Sequence, residues 1–207
     1  MKNNEIEVIN GIGMVDMPKS ATHYISLDTK QFVRRPFYAT WETMINAHYT
    51  GDDEYERLHA CKVDPEWCLL SFFKEWYDMH HIFGYIMDKD LMFHGNKLYS
   101  PRTCIFVPFD LHDTIFNDPT PETVHGKGIT FSLTSGKFAV SMQVNTGNTL
   151  EVGEYSVLEH AQSAYRTARR QHIQHTVRLH EAILPSGLTL KIRQRCANNE
   201  KFERFYE

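Results

Sequence analysis

Residues 85–104 read YIMDKDLMFHGNKLYSPRTC, and this stretch decides the fold. Tyr85 to Asp88 is a short apolar run that ends in charge, the pattern of a strand reaching the surface. His94-Gly95-Asn96-Lys97 is a turn, because Gly and Asn tolerate positive φ. Leu98-Tyr99-Ser100 can return as a second strand. Ser100-Pro101 has the form of a cap followed by proline, which starts a helical turn. Cys104 to Val107 is a further apolar run, and Pro108 opens a short helix to about Asn117. Asp88, Lys89 and Asp90 sit at the end of the first run. They read either as a solvated strand end with Lys89 in a surface pair, or as groups that hold a ligand. Along a strand Asp88 and Asp90 point to one face and Lys89 to the other.

Upstream, residues 1–35 form an extension with turn signals at GIG and MPKS and weak periodicity. A helical pattern starts after Pro36, with Trp41, Met44, Ile45 and His48 on one stripe. A polar interruption at residues 49–60 follows. Asp64-Pro65-Glu66 then has the cap, the first-turn proline and the acidic residue of a helix start. Trp67, Leu70, Phe73, Trp76 and Tyr77 recur at three to four residues, the stripe of a buried helix face.

Downstream, the proline-rich NDPTP at residues 117–121 is the best domain boundary. GITFSLT, GKFAVSMQV and NTLEVGEY read as three strands, with turns at Gly136-Lys137 and Gly147-Asn148. Ser156 can cap a long helix that runs to Leu184, with Val157, Ala161, Ala164, Ala168 and Ile173 on its apolar side. Leu158, Tyr165 and Val177 widen that side. Pro185-Ser186-Gly187 stops it, and the remainder reads as a polar tail. The organisation is therefore an extension over 1–35, a module over 36–118, a sheet-helix domain over 124–184 and a tail over 185–207. The fold class is α+β.

The 207 residues carry a net charge of −4, unevenly spread. Between His160 and Cys196 lie seven basic residues and one acidic residue, Glu181, a balance of 7 − 1 = +6. The rest has 22 − 7 = 15 basic and 26 − 1 = 25 acidic residues, a balance of −10. Such asymmetry points to one end that meets an anion. Cys61, Cys68, Cys104 and Cys196 lack paired CxxC spacing, which argues against a zinc ribbon or a disulfide framework. Reduced thiols, no long apolar run and a polar start fit a cytoplasmic protein with no membrane partner.

Two segments resemble known families. FYATWETMINAHYTGDDEYERLHACKVDPEWCLLSFFKEWYD, from Phe37, resembles the front of a phage group of HNH-type endonucleases, with its Tyr-x-x-Trp helix and Cys-x-Val-x-x-Glu-Trp segment. MDKDLMFHGNKLYSPRTCIFVP resembles the signature of that group: Asp-Lys-Asp, a Gly-Asn-Lys turn, Tyr-Ser-Pro-x-Thr-Cys, then Val-Pro. Residues 128–170 are similar, more loosely, to the DNA-binding domain of plant ethylene-response factors, a three-stranded sheet backed by a helix. The resemblance implies a ββα-metal, HNH-like module followed by a three-stranded sheet and a long helix. It implies a homing-type, metal-dependent endonuclease acting on double-stranded DNA in an infected host cell, with one Mg²⁺ or Mn²⁺ ion. Asp88 then takes the place of the metal-binding aspartate and His112 that of the ligand on the helix. Lys89 stands where the family's usual motif has its water-activating histidine, although Asp-Lys-Asp is itself usual in the phage group. In the plant domain the sheet enters the major groove, which implies contacts from Lys137, Ser141, Gln143 and Asn145.

The residues themselves allow this chemistry. A divalent ion with carboxylate ligands and open positions activates water and stabilises the charge of phosphodiester hydrolysis. Lys89 serves as a base only with a lowered pKa, and otherwise contacts phosphate or leaves water activation to Asp90. Ser141, Gln143 and Asn145 alternate with Val140, Met142 and Val144 and give the sheet a polar face. Arg166, Arg169 and Arg170, with His172 and His175, read as a phosphate-facing side of the long helix. His80, His81 and His94 read as surface or substrate contacts, since adjacent helical histidines point in different directions. Asn96 belongs to the signature turn. The alternative is a catalytically lapsed HNH-like phage protein that binds DNA or a host defence protein, which the lysine at 89, His112 and the acidic remainder favour. A duplex-binding regulator without strand scission is a third reading.

Overall fold

The computed structural model describes residues 6–48, 61–145 and 148–198, without the side chains of His48 and Asn145. The chain is a mixed α+β protein in two compact units that divide between Val107 and Pro108. The helix that carries His112 and the NDPTP segment therefore both fall inside the second unit.

The first unit begins with two small antiparallel ribbons. β1 (Glu7–Ile9) pairs with β2 (Gly13–Val15), and after the single turn α1 (Lys19–Thr22), β3 (His23–Ile25) pairs with β4 (Phe32–Arg34). Residues 6–35 are thus more ordered than their weak periodicity predicts. Val15 is buried, and Ile9, Ile12 and Met17 pack on the same core. Helix α2 (Pro36–His48) buries Phe37, Trp41, Met44 and Ile45, the stripe the sequence shows. β5 (Lys62–Val63) follows. The expected helix from Asp64 onward is split. Asp64 does cap, accepting from the Glu66 amide at 3.1 Å, but only a 3₁₀ turn over Pro65–Cys68 forms. Leu69 then takes an extended conformation and bridges to Met14, which interrupts the helix, and α3 (Leu70–His80) starts afresh. Trp67, Leu70, Phe73, Trp76 and Tyr77 are all buried. Their rings pack edge to face and tilted, with Trp67 at 4.7 Å from Trp76 and 5.1 Å from Phe73. The indole of Trp41 donates to the Trp67 carbonyl at 2.7 Å and ties α2 to this cluster.

The signature stretch comes next. β6 (Tyr85–Asp88) does not pair with the returning Leu-Tyr-Ser segment. Its neighbour is β8 (Ile105–Pro108), and β7 (Leu98–Tyr99) runs parallel to β5. Residues 89–104 are therefore a long loop between paired strands, pinned at its middle to a third one. Gly95 holds φ +78° in that loop, as the turn requires.

The second unit starts with α4 (Phe109–Phe116). β9 (Ile129–Ser132), β10 (Lys137–Asn145) and β11 (Asn148–Tyr155) form an antiparallel sheet with β10 central, as the three apolar runs predict. The turn expected at Gly147-Asn148 falls partly on residues outside those described. A bulge between Val140 and Ser141 lets β11 keep pairing on both sides of Gly153. Helix α5 (Leu158–His180) lies across the sheet, with Val140, Met142, Ile129, Ala161, Tyr165 and Ala168 forming the shared core. It starts after Val157, which is exposed, and not from a Ser156 side-chain cap. The helix ends at His180, and the segment read as a polar tail contains a further helix, α6 (Ser186–Ala197), which buries Leu188, Ile192 and Cys196. Their four-residue spacing is the apolar seam of a helix packed on a neighbour, hidden among charged residues. Among the described residues no helix is long and apolar enough to cross a membrane.

Candidate functional site

Asp88, Lys89 and Asp90 are not a solvated strand end. All three are buried, at 6%, 3% and 4% exposure. The reason lies in the loop they open. Asp88 ends β6, and its Oδ1 accepts from the amides of Asp90 at 2.7 Å and Leu91 at 2.6 Å, so the carboxylate caps the turn it begins. Leu91 buries completely beneath it. Lys89 turns its ammonium inward, where Nζ donates to Asp90 Oδ1 at 2.6 Å and to the Asn96 carbonyl at 3.2 Å. It also lies 5.4 Å over the Tyr99 ring and bonds the Cys61 thiol. Asn96 completes the circuit. Its Nδ2 donates to the carbonyls of Lys89 at 3.0 Å and Leu98 at 2.8 Å, and its Oδ1 accepts from the Leu98 amide at 3.1 Å. Further along, Thr103 Oγ1 donates to the Leu98 carbonyl at 2.6 Å and pairs with the buried Ser100 hydroxyl at 2.8 Å.

Two buried thiols flank this loop. Burial pushes Cys61 up from its ordinary range, and the adjacent Lys89 ammonium works against that shift without reversing it. Burial pushes Cys104 up to about 12. Neither is a thiolate nucleophile near neutral pH.

A lysine ammonium has three donors and no acceptor. Those of Lys89 meet Asp90, Asn96 and Cys61, which makes it a clamp that closes the loop. The groups here that can accept a proton or bind a cation are the carboxylates. His112 belongs to the second unit, on α4, where it is buried and its ring lies 4.7 Å from Phe116. Among the described residues no group of three or more His, Cys, Asp or Glu gathers as a ready metal cage.

The histidine pair at 80–81 finds aromatic neighbours. His80 stacks on Trp76 at 4.7 Å and its Nδ1 bonds the Trp76 carbonyl at 2.7 Å, while His81 stacks on Tyr77 at 4.4 Å. Burial holds His81 below the usual imidazole range.

In the second unit the expected DNA contacts separate into two groups. Arg169 is a brace: its guanidinium donates to the carbonyls of Thr114 and of Asn117, the latter at 2.9 Å, and its Nε lies 3.7 Å from Asp118. Asp118 also accepts from the Tyr165 hydroxyl at 2.7 Å and from the Thr120 amide at 3.2 Å. Burial opposes ionisation of Asp118, but the Tyr165 and Thr120 hydrogen bonds and the Arg169 charge outweigh it, so its carboxyl lies below the usual range. This network fastens the NDPTP segment to α5. Thr120 extends it by accepting from the Gln143 amide at 3.0 Å. His172 is also turned inward. Its Nε2 bonds the Val144 carbonyl at 3.1 Å, and burial, then Arg169, hold it below the usual range. Arg166 is exposed, and Arg170 is half-buried with Nη2 donating to Thr167 at 3.2 Å. On the sheet, Lys137 is exposed and Ser141 and Gln143 are half-buried; the side chain of Asn145 lies outside those described.

Sequence reasoning assigned Arg169 and His172 by residue type and missed their partners, Asp118 and the Val144 carbonyl. Asp118 stands in a segment read as a linker, and no periodicity marks it. Compared with family models, with curated proteins and with solved structures, the chain matches none, so the reading of the site rests on its own residues.

Proposed function

We propose that the protein is a metal-dependent DNA endonuclease of the HNH type, with the Asp88 loop as its reactive element. The observation that carries this reading is the burial of three consecutive ionisable residues in one loop. Burying charge costs several kcal/mol per ion unless partners compensate it. A simple strand end gains nothing from that cost, whereas a site that must hold a carboxylate in fixed geometry does. As the resemblance implies, Asp88 would supply a carboxylate ligand for Mg²⁺ or Mn²⁺. The ion supplies activation of water and stabilisation of charge on the phosphate. Asp88 holds its position through the two amides it caps, Lys89 and Asn96 keep the loop closed, and Asp90 is the carboxylate nearest the clamp. The resemblance of residues 87–108 to the phage signature supports the same reading.

The assay is cleavage of supercoiled plasmid with Mg²⁺ or Mn²⁺ by the wild type and by Asp88→Ala. Metal-dependent nicking or linearisation that vanishes in the variant is the expected result. Cleavage that persists in Asp88→Ala removes the site assignment.

One observation favours a second reading. Lys89 and Asp90 are spent on each other, which leaves no free base at the position where the usual motif places histidine. In that reading the loop is a scaffold and the protein acts by binding DNA or a host protein. A wild type that binds a partner tightly and never cleaves DNA with either metal supports it.

A further inference from the structure

We infer that the exposed ridge of α5, and not the outer face of the sheet, is the surface that contacts DNA, and that it suits the major groove of a duplex. The sheet face comes first. Residues that pair across strands share a face. Ser141 pairs with Glu151, Ala139 with Glu154, and Gln143 with Thr149. The face that holds Ser141 and Gln143 therefore also holds Glu151 and Glu154, both exposed, against one lysine, Lys137. Phosphates approaching this face meet more negative than positive charge.

The ridge has the opposite character. From Leu158 to His180 the helix holds one acid, Glu159, in its first turn. At 3.6 residues per turn, Arg166 and Arg170 fall on one flank of the outward surface, His175 on the other, and Arg178 between them. Thr167, Gln171 and Gln174 lie between the flanks. Arg166, Thr167, Gln171, His175 and Arg178 are exposed, while Arg170 and Gln174 are half-buried. From Arg166 to Arg178 the helix rises about 18 Å. The face packed on the sheet is on the other side, through Ala161, Tyr165 and Ala168, and the later turns also bury Ile173, Thr176 and Val177.

Two arginines on one flank, with a third arginine, amides and a hydroxyl beside them, match a groove. A helix lying in the major groove has a phosphate strand on either side and base edges beneath. An anionic membrane asks for something else, an apolar face under the cations. The strip between these flanks carries none. Arg169 takes no part, because its guanidinium is committed to Asp118 and the α4 carbonyls.

The inference rests on the reading above only in taking DNA as the ligand. It is tested with a fluorescently labelled duplex of about 25 base pairs, titrated in EDTA over a range of salt so that cleavage plays no part. The full chain is compared with Arg166→Gln/Arg170→Gln/Arg178→Gln and with Lys137→Gln, each checked for a native circular dichroism melt. Three lost phosphate contacts lower the slope of log K against log salt by roughly 2 to 3. That drop in the triple variant, with Lys137→Gln close to wild type, is the expected result. Single Arg166→Gln and Arg178→Gln variants, each lowering the slope by about 1, serve if the triple variant fails to fold. The proposal is overturned if the wild type does not bind the duplex, if the ridge variants keep the full slope, or if Lys137→Gln carries the loss. Binding to phosphatidylserine vesicles without binding to duplex also overturns it. Ridge-dependent binding without any metal-dependent cleavage sinks the nuclease reading alone; cleavage with ridge-independent binding sinks this proposal alone.

Discussion

Asn96 and Lys89 bond each other in both directions: the Asn96 side chain donates to the Lys89 carbonyl, and the Asn96 carbonyl accepts from the Lys89 ammonium. The loop from Lys89 to Asn96 is closed by this exchange, and the Leu98 amide and carbonyl are bonded by the same asparagine. Asn96→Ala removes three side-chain hydrogen bonds and leaves part-buried backbone groups without partners. The expected loss is about 2–4 kcal/mol, read as a lower midpoint in urea with an unchanged slope. A variant as stable as wild type would show that the loop is held by other contacts.

The Lys89–Asp90 pair is nearly free of solvent, with side chains 2% and 6% exposed. Breaking such a pair removes the opposite charge from the buried group that remains. Lys89→Met and Asp90→Asn should each destabilise by about 3–5 kcal/mol, and the double variant by less than the sum. Chemical denaturation of the full cycle measures the coupling. Additive losses would mean that the two residues act through different partners.

Asp118 gives the second unit an acid sensitivity with a defined sign. Its carboxyl is lowered in the folded protein, so the unfolded chain takes up its proton first as pH falls. The stabilisation is complete above the ordinary aspartate value of about 4 and is lost as pH falls through the folded value. Asp118→Asn should be less stable at pH 7 and should lose less further stability between about pH 4 and 2 than wild type. Thermal melts across that window give the comparison, and parallel curves for the two proteins would refute it.

Gly128 has φ +65°, and a Cβ there would run into the Ser141 carbonyl and press on Thr120 and Tyr165. The Gly128 carbonyl also accepts from the Ser141 amide at 2.9 Å. Gly128→Ala combines a left-handed backbone with a steric clash, so a loss of at least about 1–3 kcal/mol is expected. A melting temperature within a degree or so of wild type would mean that the strand edge yields easily.

Elements with strong periodicity were legible from the chain alone. The Trp67–Tyr77 stripe, the three strands of the second unit and the long helix all follow from apolar spacing, which encodes local burial. What periodicity does not encode was missed. Leu69 breaks an otherwise continuous helical pattern because Met14, far away in sequence, bridges to it. β6 chooses β8 over the nearer β7 because residues 89–104 fold into a loop closed by Asn96 and Lys89. The Leu188/Ile192 seam is short and embedded in charge. At the candidate site the residue identities were visible, but their burial was not: a charged triplet looks solvated until the partners that neutralise it are placed. The same holds for Arg169, whose carboxylate partner lies 51 residues earlier in the chain.

Cys61, which bonds the Lys89 ammonium, and Cys104, at the end of the same loop, supply the protein with its own clock. Both thiols are buried and protonated in the closed state, so a thiol reagent modifies them only when the surrounding structure opens. The rate of modification, followed residue by residue in native buffer, counts those openings.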